Sequence, residues 1–469
     1  MSLRRVLVAN RGEIAVRVIR ACADEGIESV VVVSEVDRDS RAALVADRAV
    51  CIGPAAASSS YLDVGRVVAA ALGTGCDAIH PGYGFLSERP ELPEACAENG
   101  LAFVGPSADT IRRGGDKAAA RRIAASLGIP VGAGSDTIDD ATTAQEIADR
   151  VGYPVVLKAA AGGGGRGMVL VEGPEGLAQS FENASREAQA AFGDGRMYLE
   201  RFITRARHVE VQVLADQHGN VVHLGERDCS AQRRYQKLVE EAPATSVPVE
   251  VRRSLHEAAV ELARALDYVG AGTVEFVVDA DTGQYAFLEV NTRVQVEHPV
   301  TEMVTGIDIV RAQLQIAGGE PLRFRQSDVR LDGHAVEVRV NAENPSRGFA
   351  PSPGTVTRWV EPVGGGLRID THCFGGYRIP PHYDSLLAKV IAHGTDREQA
   401  LRRLDRGLRH LVVEGVSTTV PMLLAVIDSA DFRAGTHHTR WVEQDLMPSL
   451  AADAGTGGAR AGQPVPAAV

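Results

Sequence analysis

The sequence has 469 residues, 45% of them hydrophobic, and a formal net charge of -12. This length suggests about three domains of ordinary size, each with enough apolar residues to build a core. The acidic balance argues against nucleic-acid binding, no segment approaches the ~20 apolar residues of a membrane span, and the six cysteines lack metal-binding spacing. We therefore expect a cytoplasmic protein in a reducing compartment, with no nucleic-acid or membrane partner.

The first 130 residues predict a parallel α/β sheet. A strand over residues 5–9, an amphipathic helix to about Asp24 and a strand over residues 29–34 form a βαβ unit. The intervening turn, residues 10–13, lacks the Gly-x-Gly-x-x-Gly pattern of dinucleotide-binding folds, so NAD is not expected there. Residues 80–85 form a rigid loop at a strand end, where α/β sheets commonly bind ligands, although the loop could equally be structural.

Lysine is rare in this chain. Of the 49 basic residues only four are lysines: Lys117, Lys158, Lys237 and Lys389. Arginine therefore supplies ordinary surface charge, and each lysine is a candidate for a task that needs a compact ammonium group, such as gripping a phosphate. Lys117 begins an Ala-rich, helix-like stretch that ends near Gly128, whereas Lys389 is expected to lie in a C-terminal sheet.

Residues 131–203 predict a small α+β lid. Strands flank a run of glycines at residues 162–165, and a helix over residues 174–192 and a further strand follow. Lys158 precedes the glycines, whose bare backbone amides would close over phosphate oxygens; a plain flexible hairpin is the alternative. No Gly-x-x-x-x-Gly-Lys-Ser/Thr occurs, so a P-loop is excluded.

The third region opens with an alternating hairpin that begins at His208 and turns at residues 217–220. A charged loop is predicted over residues 226–237. Cys229 in this loop has no base beside it, so a structural role is expected rather than a nucleophilic one. Residues 454–469 are mostly Gly, Ala and Pro, and they are predicted to be disordered.

A second hairpin in this region, over residues 272–290, predicts a metal site. A three-residue loop at residues 281–283 would place Glu275 opposite Glu289, with Cβ atoms about 5 Å apart. Like charges that face each other across strands are destabilising unless a proton or a cation lies between them. Magnesium, which takes carboxylates and nucleotide phosphates together, is the natural occupant.

Polar residues alternate strictly with Val and Thr over residues 289–297. In an extended strand this places five polar side chains on one face: Glu289, Asn291, Arg293, Gln295 and Glu297. Asn291 would lie within about 7 Å of Glu289, but Glu297 would be about 26 Å away on a straight strand. If all five serve one reaction, the chain must curl after Asn291; an edge strand with a solvated polar face is the alternative.

These motifs together resemble biotin carboxylase, the ATP-grasp component of biotin-dependent carboxylases. The matching stretches are residues 10–15, 80–88, 162–168, 226–230, 289–302 and 333–337, and the resemblance extends from Val6 to about Met447. It implies a three-domain ATP-grasp α/β fold: a parallel, Rossmann-like N-terminal domain, a small α+β lid and a C-terminal antiparallel-sheet domain. The expected divisions are residues 1–130, 131–203 and 204–447, with a disordered tail over residues 448–469.

The resemblance also implies a role for individual residues. ATP would be bound by Lys117, Lys158, Gly164, Gly165, Glu200, Arg201, Phe202, Ile203, His208 and Tyr235, and Mg²⁺ or Mn²⁺ by Glu275, Glu289 and Asn291. Bicarbonate would lie against Lys237, Arg293, Gln295 and Val296. Glu297 would be the base that deprotonates bicarbonate, and Arg339 would stabilise the biotin anion.

The sequence departs from the family at Tyr235, where the family usually has His, which puts that nucleotide contact in question. Outside the resemblance, His208 could be a satisfied hairpin histidine. Biotin is attached through a lysine and none follows Lys389, so the carrier and the carboxyltransferase are expected to be partners. The resemblance implies that the protein is a homodimer. Two alternatives remain: another ATP-grasp carboxylate ligase, which needs no Arg339, or a catalytically silent nucleotide-binding scaffold.

Overall fold

The protein is described here by a computed structural model that covers residues 3–135, 137–161 and 167–455, without the side chains of residues 453–455. Gly164 and Gly165 of the predicted flap lie outside these residues. Within them, every helix is too short or too polar to span a bilayer.

The N-terminal region is a five-stranded parallel sheet in the order β3-β2-β1-β4-β5. Its strands are β1 (Arg5–Val8), β2 (Glu28–Ser34), β3 (Arg48–Gly53), β4 (Ala78–His80) and β5 (Ala102–Phe103). Its helices are α1 (Gly12–Asp24), α2 (Arg41–Val45), α3 (Val64–Thr74), α4 (Glu91–Glu98), α5 (Ala108–Gly115) and α6 (Lys117–Ser126). The near-continuous burial of β2 is typical of a parallel strand covered on both faces. The predicted βαβ unit is confirmed.

The lid is a three-stranded antiparallel sheet in the order β7-β6-β8, with two helices. Its elements are α7 (Ala141–Val151), β6 (Val155–Ala159), β7 (Met168–Val171), α8 (Leu177–Phe192) and β8 (Met197–Arg201). Sequence reasoning missed α7. The signal was Asp140, whose side chain caps the helix by accepting a hydrogen bond from the Thr143 amide.

The third region contains the remaining elements. Its strands are β9 (Ala206–Ala215), β10 (Val221–Arg233), β11 (Gln236–Ala242), β12 (Gly270–Asp279), β13 (Tyr285–Asn291), β14 (His334–Asn341), β15 (Glu343–Asn344), β16 (Ala350–Pro351), β17 (Gly354–Thr355), β18 (Arg358–Val360), β19 (Leu367–Thr371), β20 (Arg378–Ile379), β21 (Leu386–Gly394) and β22 (Val412–Glu414). Its helices are α9 (Val249–Ala265), α10 (His298–Thr305), α11 (Ile309–Ala317), α12 (Arg397–His410), α13 (Val420–Asp428), α14 (Ala430–Ala434) and α15 (Met447–Gly455).

One antiparallel sheet of eight strands runs through this region in the order β13-β12-β9-β10-β11-β14-β21-β19. One face packs against helices: Val211 and Val274 pack with α9, and Val338 and Val390 pack with α12 and α13. The opposite face carries the alternating polar residues of the same strands. The predicted antiparallel C-terminal domain is confirmed, and Lys389 lies in it, on β21.

Two predictions in this region are wrong. Residues 226–237 are not a loop but the end of β10, a turn at residues 234–235 and the start of β11. Their charges are typical of a loop, yet Glu226, Arg227 and Asp228 are buried and paired, Arg227 on the polar face and the other two on the helix-covered face, which sequence composition does not reveal. The predicted disordered tail, residues 448–469, begins as a helix, because α15 continues to Gly455; the rest of it lies outside the described residues.

A buried ion cluster around Glu302 joins the N-terminal region to the large sheet. Glu302 on α10 accepts hydrogen bonds from Arg17 on α1, at 3.0 Å, and from Arg368 on β19, at 2.7 Å. Burial alone would raise the pKa of Glu302, but Arg17, His298 and Arg368 lower it to about 2. Its negative charge is therefore part of the folded state at neutral pH.

We expect Glu302→Gln to lower the free energy of unfolding by about 3–5 kcal/mol at pH 7, because two arginines lose their buried partner. Only the ionised carboxylate stabilises the fold. The free energies of unfolding of wild type and Glu302→Gln should therefore become more similar as the pH falls from about 4.5 towards 2. Urea denaturation at several pH values measures it.

Glu320→Gln is the matched control, because Glu320 pairs with Arg323 at the surface, where both side chains are largely exposed. Its effect should stay within about 0.5 kcal/mol. Equal effects of the two substitutions would contradict the assigned role of the Glu302 cluster.

Candidate active site

The hairpin of β12 and β13 brings Glu275 and Glu289 together as directly opposed residues. The predicted pairing is confirmed, but the predicted three-residue loop is wrong. Asp279 and Gln284 close a four-residue loop, with the Asp279 amide donating to the Gln284 carbonyl at 2.8 Å. Leu288 is an extra residue on β13 and forms a β-bulge, which shifts the register by one. The bulge restores the pairing of Glu275 with Glu289 that the longer loop would otherwise have lost.

Glu275 lies in the middle of the polar face and is 4% exposed. It receives hydrogen bonds from Asn291 at 2.8 Å and from Gln295 at 3.2 Å, and it forms ion pairs with His208 at 2.8 Å and Lys237 at 3.2 Å. Burial would raise the pKa of Glu275, but Lys237 and His208 lower it below its usual range. His208 is thus satisfied by a carboxylate of the site itself rather than by an unrelated hairpin contact.

Glu289 faces a cleft between the lid and the large sheet. Lys117, at the start of α6, lies 2.9 Å from Glu289, and Lys158 on β6 lies 2.5 Å from Glu200 on β8. Arg121 lies 2.5 Å from the other oxygen of Glu200. The cleft is lined by Lys117, Arg121, Tyr198, Glu200, Phe287 and Leu288. Lys117 thus lines a space with apolar walls, and Lys158 lies next to it through Glu200, which suits a phosphorylated ligand with a flat base.

The remaining predicted nucleotide-binding residues lie at two places, the connection from β8 to β9 and the turn between β10 and β11. Arg201, Phe202 and Ile203 continue from β8 towards β9, where the Phe202 amide donates to the Pro154 carbonyl at 2.9 Å. The Arg201 side chain is exposed. Tyr235 occupies the turn between β10 and β11 with a φ of 63° and is 54% exposed. Its ring is thus presented by a strained turn rather than packed in the core.

The chain curls after Asn291, where β13 ends, so the single nine-residue strand is not formed and the conditional expectation of a curl is confirmed. Arg293 is held by Glu88 at 2.9 Å and by the Gln295 side-chain oxygen at 3.0 Å. Because of the curl, Glu297 lies over the sheet again, at the position immediately before α10. Five polar side chains that would span a long strand thereby share one site.

Glu297 is completely buried between two cations. Its carboxylate lies 2.6 Å from the Lys237 Nζ and 3.0 Å from an Arg339 Nη. Burial would raise the pKa of Glu297, but Lys237, Arg339 and Arg227 lower it well below its usual range. Glu297 is therefore ionised at neutral pH.

Several residues that sequence reasoning missed hold these cations. Glu210 on β9 binds both Arg227 and Lys237, each at 2.5 Å, and Glu240 on β11 binds Arg339 at 2.6 Å. The sequence signal was the alternation of Glu210 with valines in β9, which places its side chain on the same face as His208. Lys389 reaches under the curled segment and donates to the Val296 carbonyl at 2.9 Å.

Cys229 lies 4.0 Å from Glu297 and is buried. Burial, together with the carboxylates of Glu210 and Glu297, raises the pKa of this thiol well above its usual range, although Lys237 opposes the effect. The thiolate that a nucleophile would need is thus disfavoured.

The donor set Glu275, Glu289 and Asn291 fits magnesium. Glu275 and Glu289 are directly opposed, and Asn291 is opposed to Thr273 two residues along the same strand pair. All three present oxygen atoms, which are the ligands that a hard divalent cation prefers. The two carboxylates otherwise depend on Lys237, His208 and Lys117 for compensation.

A lid over a two-lysine cleft, beside opposed carboxylates on an antiparallel sheet, defines the ATP-grasp class. Three family models match the chain: Biotin carboxylase, N-terminal domain, over residues 2–111; Carbamoyl-phosphate synthase L chain, ATP binding domain, over residues 116–325; and Biotin carboxylase C-terminal domain, over residues 337–444. The chain belongs to the biotin carboxylase family.

Similar proteins extend over nearly the whole chain. Biotin carboxylase 1 of Bacillus subtilis is 48% identical over 449 residues, which cover 95% of this chain and 100% of that protein. The biotin carboxylase domain dimer of Hydrogenobacter thermophilus 2-oxoglutarate carboxylase, solved with MgADP, ADP and bicarbonate, is 47% identical, with a TM-score of 0.90 and coverages of 94% and 98%. A crystal structure of the biotin carboxylase subunit of pyruvate carboxylase is 45% identical, with a TM-score of 0.83 and coverages of 96% and 99%.

We expect iodoacetamide to alkylate Cys229 at least about 10²-fold more slowly than Cys51 in the folded protein, because only the thiolate reacts. Cys51 is exposed and serves as the internal control. Peptide mass spectrometry over time, at pH 7.5 with and without urea, measures both rates. Rapid labelling of Cys229 without urea would show that its thiol is accessible and ionised.

Proposed function

We propose that this protein carboxylates biotin, held on a separate carrier protein or domain, in a reaction that consumes ATP and bicarbonate. The observation that carries the proposal is Glu297, a buried carboxylate between Lys237 and Arg339. A base enclosed by cations beside a phosphate-binding cleft suits a small inorganic anion, which must be deprotonated and then joined to phosphate. Membership of the biotin carboxylase family supports the same reaction.

ATP occupies the lid cleft in this proposal. Lys117 and Lys158 bind its phosphates, Gly164 and Gly165 contribute to ATP binding, and Glu200, Arg201, Phe202 and Ile203 border the nucleotide. His208 and Tyr235 complete the set. Glu275, Glu289 and Asn291 would hold Mg²⁺ or Mn²⁺, which when bound neutralises charge on the phosphates.

Bicarbonate binds against Lys237, Arg293, Gln295 and the backbone of Val296. Arg293 is preorganised for this task because Glu88 and Gln295 fix its guanidinium. Glu297 removes the bicarbonate proton, and the resulting oxygen attacks the γ-phosphate to give carboxyphosphate and ADP. The negative charge that develops is met by cations already fixed in place.

Carboxyphosphate then breaks down to carbon dioxide and phosphate in the closed site. The phosphate takes the ureido proton of biotin, and the biotin anion attacks carbon dioxide. Arg339 stabilises that anion, and its position is defined by Glu240 at 2.6 Å and Glu297 at 3.0 Å. One arginine thus links the base of the first half-reaction to the anion of the second.

The proposal extends to partners, location and domain boundaries. A biotin carboxyl carrier and a carboxyltransferase complete the reaction, and the protein works as a homodimer in the cytoplasm; the domain of Hydrogenobacter thermophilus described above is a dimer. We divide the chain into residues 1–130, 131–203 and 204–447. The similar proteins come from both pyruvate carboxylase and 2-oxoglutarate carboxylase, so similarity does not select the final carboxyl acceptor.

A different ATP-grasp ligase would share the lysines and the opposed carboxylates. It would have no use for Arg339 in contact with the base, which favours biotin carboxylation over this alternative. A silent scaffold is disfavoured because Lys237, Arg293 and Glu297 form one connected, charge-balanced site.

We expect ATP hydrolysis to require bicarbonate and to rise when free biotin is added. The physical reason is that each turnover must deprotonate bicarbonate before phosphate is transferred. A coupled ADP-release assay with bicarbonate-depleted buffer as the control measures this dependence. Turnover without bicarbonate would favour the other ligase, and no turnover at all would favour the scaffold.

We expect Glu297→Ala to lower bicarbonate-dependent turnover by about 10²-fold or more, because the general base is lost. ATP binding should survive, since the lid cleft is formed by other residues; isothermal titration with ATP tests this. Glu343→Ala is the control, because Glu343 is only partly buried and lies outside the site on the short strand β15. Turnover of Glu297→Ala equal to wild type would remove the assignment.

A further inference from the structure

Two glutamates behind Arg339 face each other across strands. Glu240 on β11 and Glu337 on β14 are directly paired in the antiparallel register, and both are completely buried. Their Cβ atoms are therefore about 5 Å apart. Two ionised carboxylates in this arrangement would repel each other strongly, unless a proton or a cation lies between them.

The hydrogen bonds of the two residues are unequal. One oxygen of Glu240 accepts a hydrogen bond from the Arg339 Nε at 2.6 Å, while its second oxygen has no protein partner among the described residues. Both oxygens of Glu337 also lack a protein partner there. Buried carboxylate oxygens without donors are costly, so a donor between the two side chains would satisfy both.

Two cations, Lys389 and Arg339, are near enough to lower the pKa of Glu337, but neither forms a hydrogen bond with it among the residues that the structure describes. The charged groups that face the pair are Lys237 of β11, Arg339 of β14, Lys389 of β21 and Glu297 before α10. Each cation among them has its own anions. Lys389 lies 3.2 Å from Glu13 and 3.7 Å from Asp370.

The surroundings of Glu337 are otherwise apolar. It is opposed to Ile391 across β21, and Ala335 on its own strand packs in a cluster with Val300 and Ile391. Burial raises the pKa of Glu337 well above its usual range, with Glu240 adding to the effect and Lys389 opposing it. Burial likewise raises the pKa of Glu240, to about 7, against the opposing effect of Arg339.

We propose that Glu337 is a protonated carboxyl group that donates its hydrogen to the free oxygen of Glu240, and that this bond keeps Glu240 in place as the anion that positions Arg339. Neither glutamate touches substrate; both act through Arg339. The inference rests on the proposed function, in which Arg339 stabilises the biotin anion. It adds that the two glutamates hold Arg339 in position, which Glu297 alone does not do.

The first test is infrared spectroscopy of the wild type and of Glu337→Gln. At pH 7 exposed carboxyl groups are ionised, so an infrared band from the C=O stretch of a protonated carboxylic acid would report a buried one. We expect this band in the wild type and its loss in Glu337→Gln. A wild-type spectrum without the band overturns the proposal, whatever the variants do.

The second test compares two substitutions of the same residue. In Glu337→Gln the amide can still donate to Glu240, so biotin-dependent turnover should fall by no more than about threefold. In Glu337→Ala the donor is lost, and turnover should fall at least about tenfold, more than the ATP hydrolysis seen without biotin. Equal losses in the two variants, or a loss confined to ATP hydrolysis, overturn the proposal.

The third test uses stability. The unfolded chain releases this proton near pH 4.3 whereas the folded chain keeps it, so wild type should lose stability relative to Glu337→Gln as the pH rises from about 5 to about 8. Other titrating groups are common to both proteins and cancel. A difference in denaturation midpoint that stays constant over this range overturns the proposal.

Failure of this inference is distinguishable from failure of the proposed function. If wild type showed no biotin-dependent turnover, the proposed function would fail, while the infrared band and the pH dependence of stability would still decide whether Glu337 holds a proton. If wild type is active but the band is absent, only the inference fails.

Discussion

Buried acidic and basic side chains on the polar face of the eight-stranded sheet balance one another's charge. Glu297 is buried between Lys237 and Arg339, and those cations are in turn held by Glu210 and Glu240. Removing one member of such a network leaves a buried charge uncompensated, which is far more costly than losing a surface pair. The charged side chains of the site are therefore held in place before a substrate binds.

The curled segment after β13 carries this constraint to the other regions. Its backbone is anchored at Val296 by Lys389, which also contacts Glu13 of the N-terminal region. Arg293 is anchored from the same region by Glu88. The N-terminal domain thus does more than provide a scaffold, because it fixes the segment that carries Arg293 and Glu297.

Much of the site was predictable because alternation along a strand determines which side chains share a face. The opposition of Glu275 and Glu289 followed from that rule, and the scarcity of lysine singled out Lys117 and Lys158. What failed has physical causes. The bulge at Leu288 left no mark in the sequence, since it changes the strand pairing and not the residue types along the strand. Residues 226–237 were misassigned because buried, compensated charges in strands have the composition of a solvated loop.

We propose that an ionised Glu297, held between two cations, receives the proton of a bound bicarbonate. A crystal structure with ADP, Mg²⁺ and bicarbonate would show whether the two groups meet. We expect the anion against Lys237 and Arg293, with one oxygen about 2.6–3.2 Å from the Glu297 carboxylate. Bicarbonate bound elsewhere, with Glu297 still enclosed by its two cations and out of reach of the anion, would rule out this role of Glu297.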